Sequence, residues 1–224
     1  METMYDTLLQ LPLFQGLGLK DFTAILGKVR FHFSKYKEGE TIIKKGDDCS
    51  DLTFLLKGEV LSESKDNEGL YCYSEYFQAP YIIEPQSLFG MTTRYVSSYI
   101  AKSDVNIITI DKTYILTELC KYDIFLLNYI NIVTNRSQIL YDRIWKDNAG
   151  NLISKIAYFV LSRSEKLTGE KILKIKMDDF AHILGDTRLS VSKALNELQD
   201  KGLLILRRRV IDIPEISLLS EYCK

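Results

Sequence analysis

Between Val29 and Asp111 the apolar positions fall in short runs: Thr41-Ile42-Ile43, Leu52-Thr53-Phe54-Leu55-Leu56, Tyr71-Cys72-Tyr73-Ser74-Glu75-Tyr76-Phe77 and Val105-Asn106-Ile107-Ile108-Thr109-Ile110. These runs are rich in β-branched and aromatic residues, which suit a pleated, half-buried surface. Glu38-Gly39-Glu40, Lys45-Gly46-Asp47, Lys57-Gly58-Glu59 and Asp66-Asn67-Glu68-Gly69 punctuate the region as turns. Short strands spaced by roughly ten residues predict an antiparallel sandwich or barrel. Ahead of them, Tyr5 to Leu26 reads as short helices broken at Pro12 and around Gly16 and Gly18.

The pattern then changes period. From about Asp123 to Trp145 no Gly or Pro interrupts, and Leu126, Ile130, Val133, Ser137, Leu140 and Ile144 recur at alternating intervals of four and three. A period of about 3.5 residues marks a supercoiled seam rather than a helix lying on a sheet. Phe125, Tyr129, Ile132 and Ile139 form a second apolar strip beside it. A helix apolar on two faces has two surfaces to pack against. One is expected to be its own β-domain, and the other the same helix of a second subunit. A single helix buried within a monomer is the alternative.

Beyond Asn148 the order reads helix, strand, helix, helix, hairpin. Asn151 to Ser164 is amphipathic, with Ile153, Ile156, Ala157, Val160 and Leu161 on one side. Ile172-Leu173-Lys174-Ile175 is a short strand, Asp178 to Leu184 a helix ending at Gly185, and Leu189 to Lys201 a helix ending at Gly202. Leu203-Leu204-Ile205-Leu206 and Val210-Ile211-Asp212-Ile213 flank Arg207-Arg208-Arg209, a hairpin with a basic tip. The expected division is residues 1–120, 121–147 and 148–224. At 224 residues and 46% hydrophobic, the chain can bury the cores this needs.

No run of about 18 apolar residues suggests a membrane span. The start, Met1-Glu2-Thr3-Met4-Tyr5-Asp6, lacks the basic region of a secretion signal. Cys49, Cys72, Cys120 and Cys223 are scattered without metal-ligand spacing, so no metal, cluster or disulfide framework is expected. A reduced, cytoplasmic setting follows as the expectation.

The net charge of −1, taken whole, argues against nucleic acid as a partner. Its distribution argues the other way. Residues 147–224 hold 13 Lys and Arg against 11 Asp and Glu, whereas the preceding part holds 16 against 19. Arg188, Lys193, Lys201, Arg207, Arg208 and Arg209 cluster where helix, turn and hairpin converge. Phosphate attraction decays over about 8 Å at physiological salt, so local charge governs.

Phe180 to Leu198 has the spacing of a helix-turn-helix. Ala181 is small where two helices cross, Gly185 can take positive φ in the turn, and Val191, Ala194, Leu195 and Leu198 point inward. Thr187, Arg188, Leu189, Ser192, Lys193 and Asn196 are left facing out. The first turn of such a helix meets base edges in the major groove, where Arg reads guanine O6 and N7. The basic hairpin would act as a wing on phosphates.

Thr187-Arg188-x-x-Val191-Ser192-Lys193-x-Leu195-x-x-Leu198-x-x-x-Gly202-Leu203 resembles the recognition-helix signature of the cyclic-AMP receptor protein and fumarate–nitrate regulator (Crp/Fnr) superfamily. Tyr36 to Asp47, Leu52 to Val60 and Pro12-Leu13-Phe14-x-Gly16-Leu17 are similar to its early strands and its opening. The resemblance implies an α+β chain: an N-terminal antiparallel β-roll (a cupin-like jelly roll), a long dimerisation helix and a C-terminal winged helix-turn-helix. It implies a homodimeric transcription regulator on a palindromic operator in double-stranded DNA, with RNA polymerase as a further partner. Arg188 becomes the guanine reader, Lys193 a base or phosphate contact, and Thr187 and Ser190 phosphate or helix-start contacts, with Ser192 beside them. Leu189 departs from the Glu of many members and could meet a thymine methyl instead.

The family's nucleotide cassette needs a Gly-Glu pair and, ten residues after the Glu, an Arg followed by Ser or Thr. Strand counting puts Glu84-Pro85 and Tyr95-Val96 at those places, and a shift of one residue would pair Glu84 with Arg94. Even so, Ile83 replaces the glycine and Tyr95 the hydroxyl. The effector is therefore expected to be an unknown small molecule other than cyclic AMP. The alternative is a cyclic-nucleotide sensor using Glu84 and Arg94, with Tyr95 adjacent. Tyr71, Tyr73, Tyr76, Tyr81, Tyr95 and Tyr99 read as strand residues half-buried on the sheet or lining a pocket. Neither a nucleophile–base set nor a P-loop suggests an enzyme.

Overall fold

A computed structural model describes residues 8–144 and 150–223, with the side chains of Ile144 and Cys223 outside the description. The order is α1 (Leu19–Lys28), β1 (His32–Tyr36), β2 (Thr41–Ile43), β3 (Asp51–Lys57), β4 (Glu59–Lys65), β5 (Tyr71–Gln78), β6 (Tyr81–Ile83), β7 (Ser98–Ala101) and β8 (Val105–Asp111). Then come α2 (Lys112–Thr117), α3 (Asp123–Ile144), α4 (Leu152–Arg163), β9 (Lys171–Ile175), α5 (Met177–Leu184), α6 (Arg188–Asp200), β10 (Ile205–Arg207) and β11 (Val210–Ile213). This is the expected α+β class: antiparallel strands, one long helix, then a winged helix-turn-helix.

Two compact units emerge. The first holds the chain up to Leu61 together with Phe77–Gln138, and the second holds Ser62–Tyr76 together with Ile139 onward. The division expected at residue 120 does not anticipate the excursion of Ser62–Tyr76, and the one at 147–148 falls outside the described residues.

In the first unit, β1, β8, β3 and β6 lie side by side in antiparallel order, and β2 pairs with β7. Leu52 to Leu55 of β3 are all buried, as expected of a central strand covered on both faces. Of the proposed N-terminal helices, α1 is regular, and the residues before it act mainly as an anchor. Leu11, Leu13 and Phe14 are fully buried, and Phe14 packs edge-on to Phe22 with centroids 5.6 Å apart. Phe14 also meets Phe125 of α3 at 5.4 Å, while Asn128 donates to the carbonyls of Leu13 (3.2 Å) and Gln15 (2.9 Å).

Helix α3 has the two-faced character its sequence predicts. Phe125 is buried, and Tyr129 and Ile132 pack on the core of the first unit. Leu126, Leu127, Ile130, Leu140 and Tyr141 stay exposed, from 36% to 62%. Ser137 is also exposed and Val133 half-buried. The seam residue Ile144 ends the helix, and Trp145 lies outside the described residues.

In the second unit the sheet runs β10, β11, β9, β5. Strand β9 is covered on its far side by β5, with Tyr71 opposite Ile175, Tyr73 opposite Leu173 and Glu75 opposite Lys171. Tyr73 is therefore a core residue of this unit, beside Phe159, Leu173 and Phe180. Tyr71 and Tyr73 are strand residues, as read from the sequence, with Tyr71 half-buried and Tyr73 buried. The Tyr73 hydroxyl shares a hydrogen bond with Ser164, and the Tyr71 hydroxyl accepts from Arg163 Nε at 2.8 Å. Beneath them Lys171 and Glu75 form a buried ion pair at 3.1 Å.

Candidate nucleic-acid interface

Helix α5 stops where Gly185 adopts φ 65°, and its N–H and that of Asp186 fold back to the carbonyls of His182 (3.2 Å) and Ala181 (3.0 Å). Two residues later α6 begins. Thr187 caps it: its Oγ1 accepts from Ser190 N–H at 3.1 Å, and its own N–H donates to Asp186 Oδ1 at 2.7 Å. Such a cap is worth about 1 kcal/mol and orients the first turn. The Thr187 and Ser190 side chains are thus occupied with each other at 2.8 Å, so their hydrogen bonds serve the helix start.

Val191, Ala194, Leu195 and Leu198 are buried and seat α6 on the core. The opposite face presents Arg188, Leu189, Lys193 and Asn196, all exposed, with Ser192 half-buried. Leu189 is 66% exposed, an apolar side chain with no cover from its own fold.

The hairpin places its basic residues unequally. Arg207 Nε lies 2.8 Å from Asp212 Oδ2, a carboxylate largely buried at the base of the wing. Arg208 and Arg209 are exposed at the tip, and Arg209 holds φ 61°. Gln199 of α6 accepts from Leu206 N–H at 2.7 Å and so ties α6 to the hairpin. The edges of this construction enclose a cleft of about 330 Å³ lined by Lys176, Asp178, Arg188, Arg207, Arg208 and Arg209 among others. Arg188 reaches Asp178 at 3.4 Å across it, both side chains largely exposed.

Sequence reasoning missed Asp178, Gln199 and Asp212. Only Asp212 left a signal, as the one acid inside the apolar run of β11 next to a basic tip. An arginine at positive φ strains a backbone that glycine would relax. Arg209→Gly is therefore expected to stabilise the unit by about 1 kcal/mol. If Arg209 faces a phosphate, the same change lowers the salt slope of nucleic-acid binding by about one. Urea unfolding and salt-dependent binding check the pair of effects, and a variant that binds DNA unchanged would remove Arg209 from the interface.

The residues considered for an effector do not converge as their spacing suggested. Glu84 is buried, while Arg94 is exposed, 3.5 Å from Asp48 and donating to the Gly46 carbonyl at 3.2 Å. The one-residue shift that would pair Glu84 with Arg94 is thereby corrected: the acid turns inward and the base turns to solvent. Tyr95 is also buried. Its hydroxyl meets Thr53 Oγ1 at 3.2 Å and the Asp51 carbonyl at 3.4 Å, and burial pushes the phenol well above its ordinary pKa.

Comparison with known proteins matches residues 154–222 to the Crp-like helix-turn-helix domain and residues 33–122 to the cyclic nucleotide-binding domain. No curated protein matches the chain. Among solved structures, the Thermus thermophilus catabolite activator protein is similar at 19% identity, with 95% of this chain and 98% of that chain covered and a TM-score of 0.53. FixK2 from Bradyrhizobium japonicum is similar at 15% identity, with 87% and 98% covered and a TM-score of 0.50.

Proposed function

The chain belongs to the Crp/Fnr superfamily of DNA-binding transcription regulators, and from that premise we propose a homodimer that reads a two-fold symmetric operator with the first turn of α6. The observation that carries this is the basic cleft between α5, α6 and the wing, where five cationic side chains meet one carboxylate. Phosphates satisfy such a cleft, and Arg188 at its edge, with the exposed Leu189 and Lys193 of α6, would face base edges. Asp178 gives Arg188 a partner when DNA is absent, and the two are exposed enough to separate at little cost.

Two copies of α3 would cover the strip Leu126, Leu127, Ile130, Leu140 and Tyr141, which the chain leaves open. Any effector would act by biasing the packing of that helix pair and so re-spacing the two recognition helices. RNA polymerase stands as a further partner of the bound dimer. No described helix is long and apolar enough to cross a membrane.

Selection of bound sequences from random duplex DNA, with purified protein and no added ligand, is expected to return a palindrome. Recovery of unrelated sequences would overturn the reading. On the selected site, Arg188→Ala should weaken binding by about 1–3 kcal/mol and relax one base position in each half. Equal loss on all sequences would reassign Arg188 to phosphate.

A further inference from the structure

Glu84 adopts φ 37° and ψ 55°, a left-handed conformation that L side chains rarely take, and is only 3% exposed. That backbone turns its carboxylate inward. Oε2 accepts from Val96 N–H at 2.9 Å and Ser87 Oγ at 2.9 Å, and Oε1 accepts from Ser97 N–H at 3.0 Å and the Tyr99 hydroxyl at 3.2 Å. Consecutive backbone N–H groups converging on one point form an anion-binding nest. A carboxylate offers about four acceptor positions, and four donors meet them here.

The segment that carries Glu84 also holds the long helix. Tyr129 of α3 donates to the Pro85 carbonyl at 2.6 Å, and Arg136 of α3 donates to Gln86 Oε1 at 2.6 Å and to the Ile82 carbonyl at 3.4 Å. The carboxylate therefore binds the loop at Val96–Ser97 to the strap on which α3 is anchored, all within the first unit.

We propose that the first unit contains an oxyanion site with a built-in ligand: the Glu84 carboxylate sits where a free carboxylate or phosphate would otherwise be held. The strap at residues 84–87 is then set by the chain itself, and DNA binding needs no small anion. The latter consequence rests on the DNA-binding reading, and the site does not.

The test compares the full-length wild type with Glu84→Ala under titration with acetate or inorganic phosphate at constant ionic strength. Thermal unfolding and the amide resonances of Val96 and Ser97 are followed. At the Val96 and Ser97 amides, wild type is expected to respond to neither anion. The variant should melt roughly 5 °C or more lower. Acetate or phosphate should restore that loss saturably, with both amides shifting. On the selected operator the variant should bind about tenfold more weakly and recover with the anion. Glu84→Gly, which also frees the backbone, repeats the comparison if the alanine variant does not fold. Anion uptake by wild type at those amides would overturn the proposal, as would a variant that is stable without anion or is destabilised yet unresponsive to it. If wild type selects no DNA sequence, the DNA reading fails while the unfolding and amide readouts still decide the site.

Discussion

Replacing Glu75 with alanine is expected to destabilise the helix-turn-helix unit by about 3–5 kcal/mol. The Lys171 ammonium, 1% exposed, lies 3.1 Å from that carboxylate and donates to the Thr168 carbonyl at 2.9 Å. The same carboxylate accepts from the N–H groups of Glu165 (2.7 Å) and Lys166 (3.2 Å). Its removal leaves a buried cation and two N–H groups without their acceptor, so the cost is that of unpaired polar groups as well as a lost attraction. Lys171→Met should cost a comparable amount by stranding the acid. Glu75→Leu combined with Lys171→Met should recover the part of the loss due to a stranded charge, while the N–H groups of Glu165 and Lys166 stay without their acceptor. Urea midpoints at constant slope measure all three. Single variants within about 1 kcal/mol of wild type would mean that water reaches the pair.

On the proposed homodimer, Ile130→Glu together with Leu140→Glu is expected to abolish dimerisation and to lower affinity for the full operator by roughly 10²–10⁴-fold. Both side chains are at least half exposed, so the monomer should keep its fold and its helix content. Two linked recognition helices bind the second half-site as an intramolecular event, and a monomer loses that gain while keeping its affinity for one half-site. Sedimentation checks the assembly, and titration of full and half operators checks the affinities. A doubly substituted chain that remains dimeric would place the interface elsewhere.

The sequence by itself determined what is local. The helix-turn-helix was legible because Gly185 supplies the left-handed turn, Thr187 the cap, and Val191 to Leu198 the inward face, all within one short stretch. Of the exposed strip of α3, Leu126, Ile130 and Leu140 were legible because their period is written in one uninterrupted helix, whereas Leu127 and Tyr141 fall outside that period and Val133 is half-buried. The basic tip could be read in the same way, though its division into a paired Arg207 and a free-facing Arg208 could not. That division depends on Asp212, whose burial is a property of the assembled sheet.

Only the tertiary structure decided where Ser62–Tyr76 belongs. A strand rich in Tyr reads the same whichever sheet it joins, and its pairing with β9 spans a long stretch of chain that no local periodicity reports. Glu75 and Glu84 make the same point chemically. In the sequence Glu75 reads as an ordinary strand acid and Glu84 as a candidate effector contact, and each is buried because other donors satisfy it: Lys171 and two N–H groups in one case, four donors in the other. Local propensity sets which elements form. Which charges can leave water is set by the partners that folding brings to them.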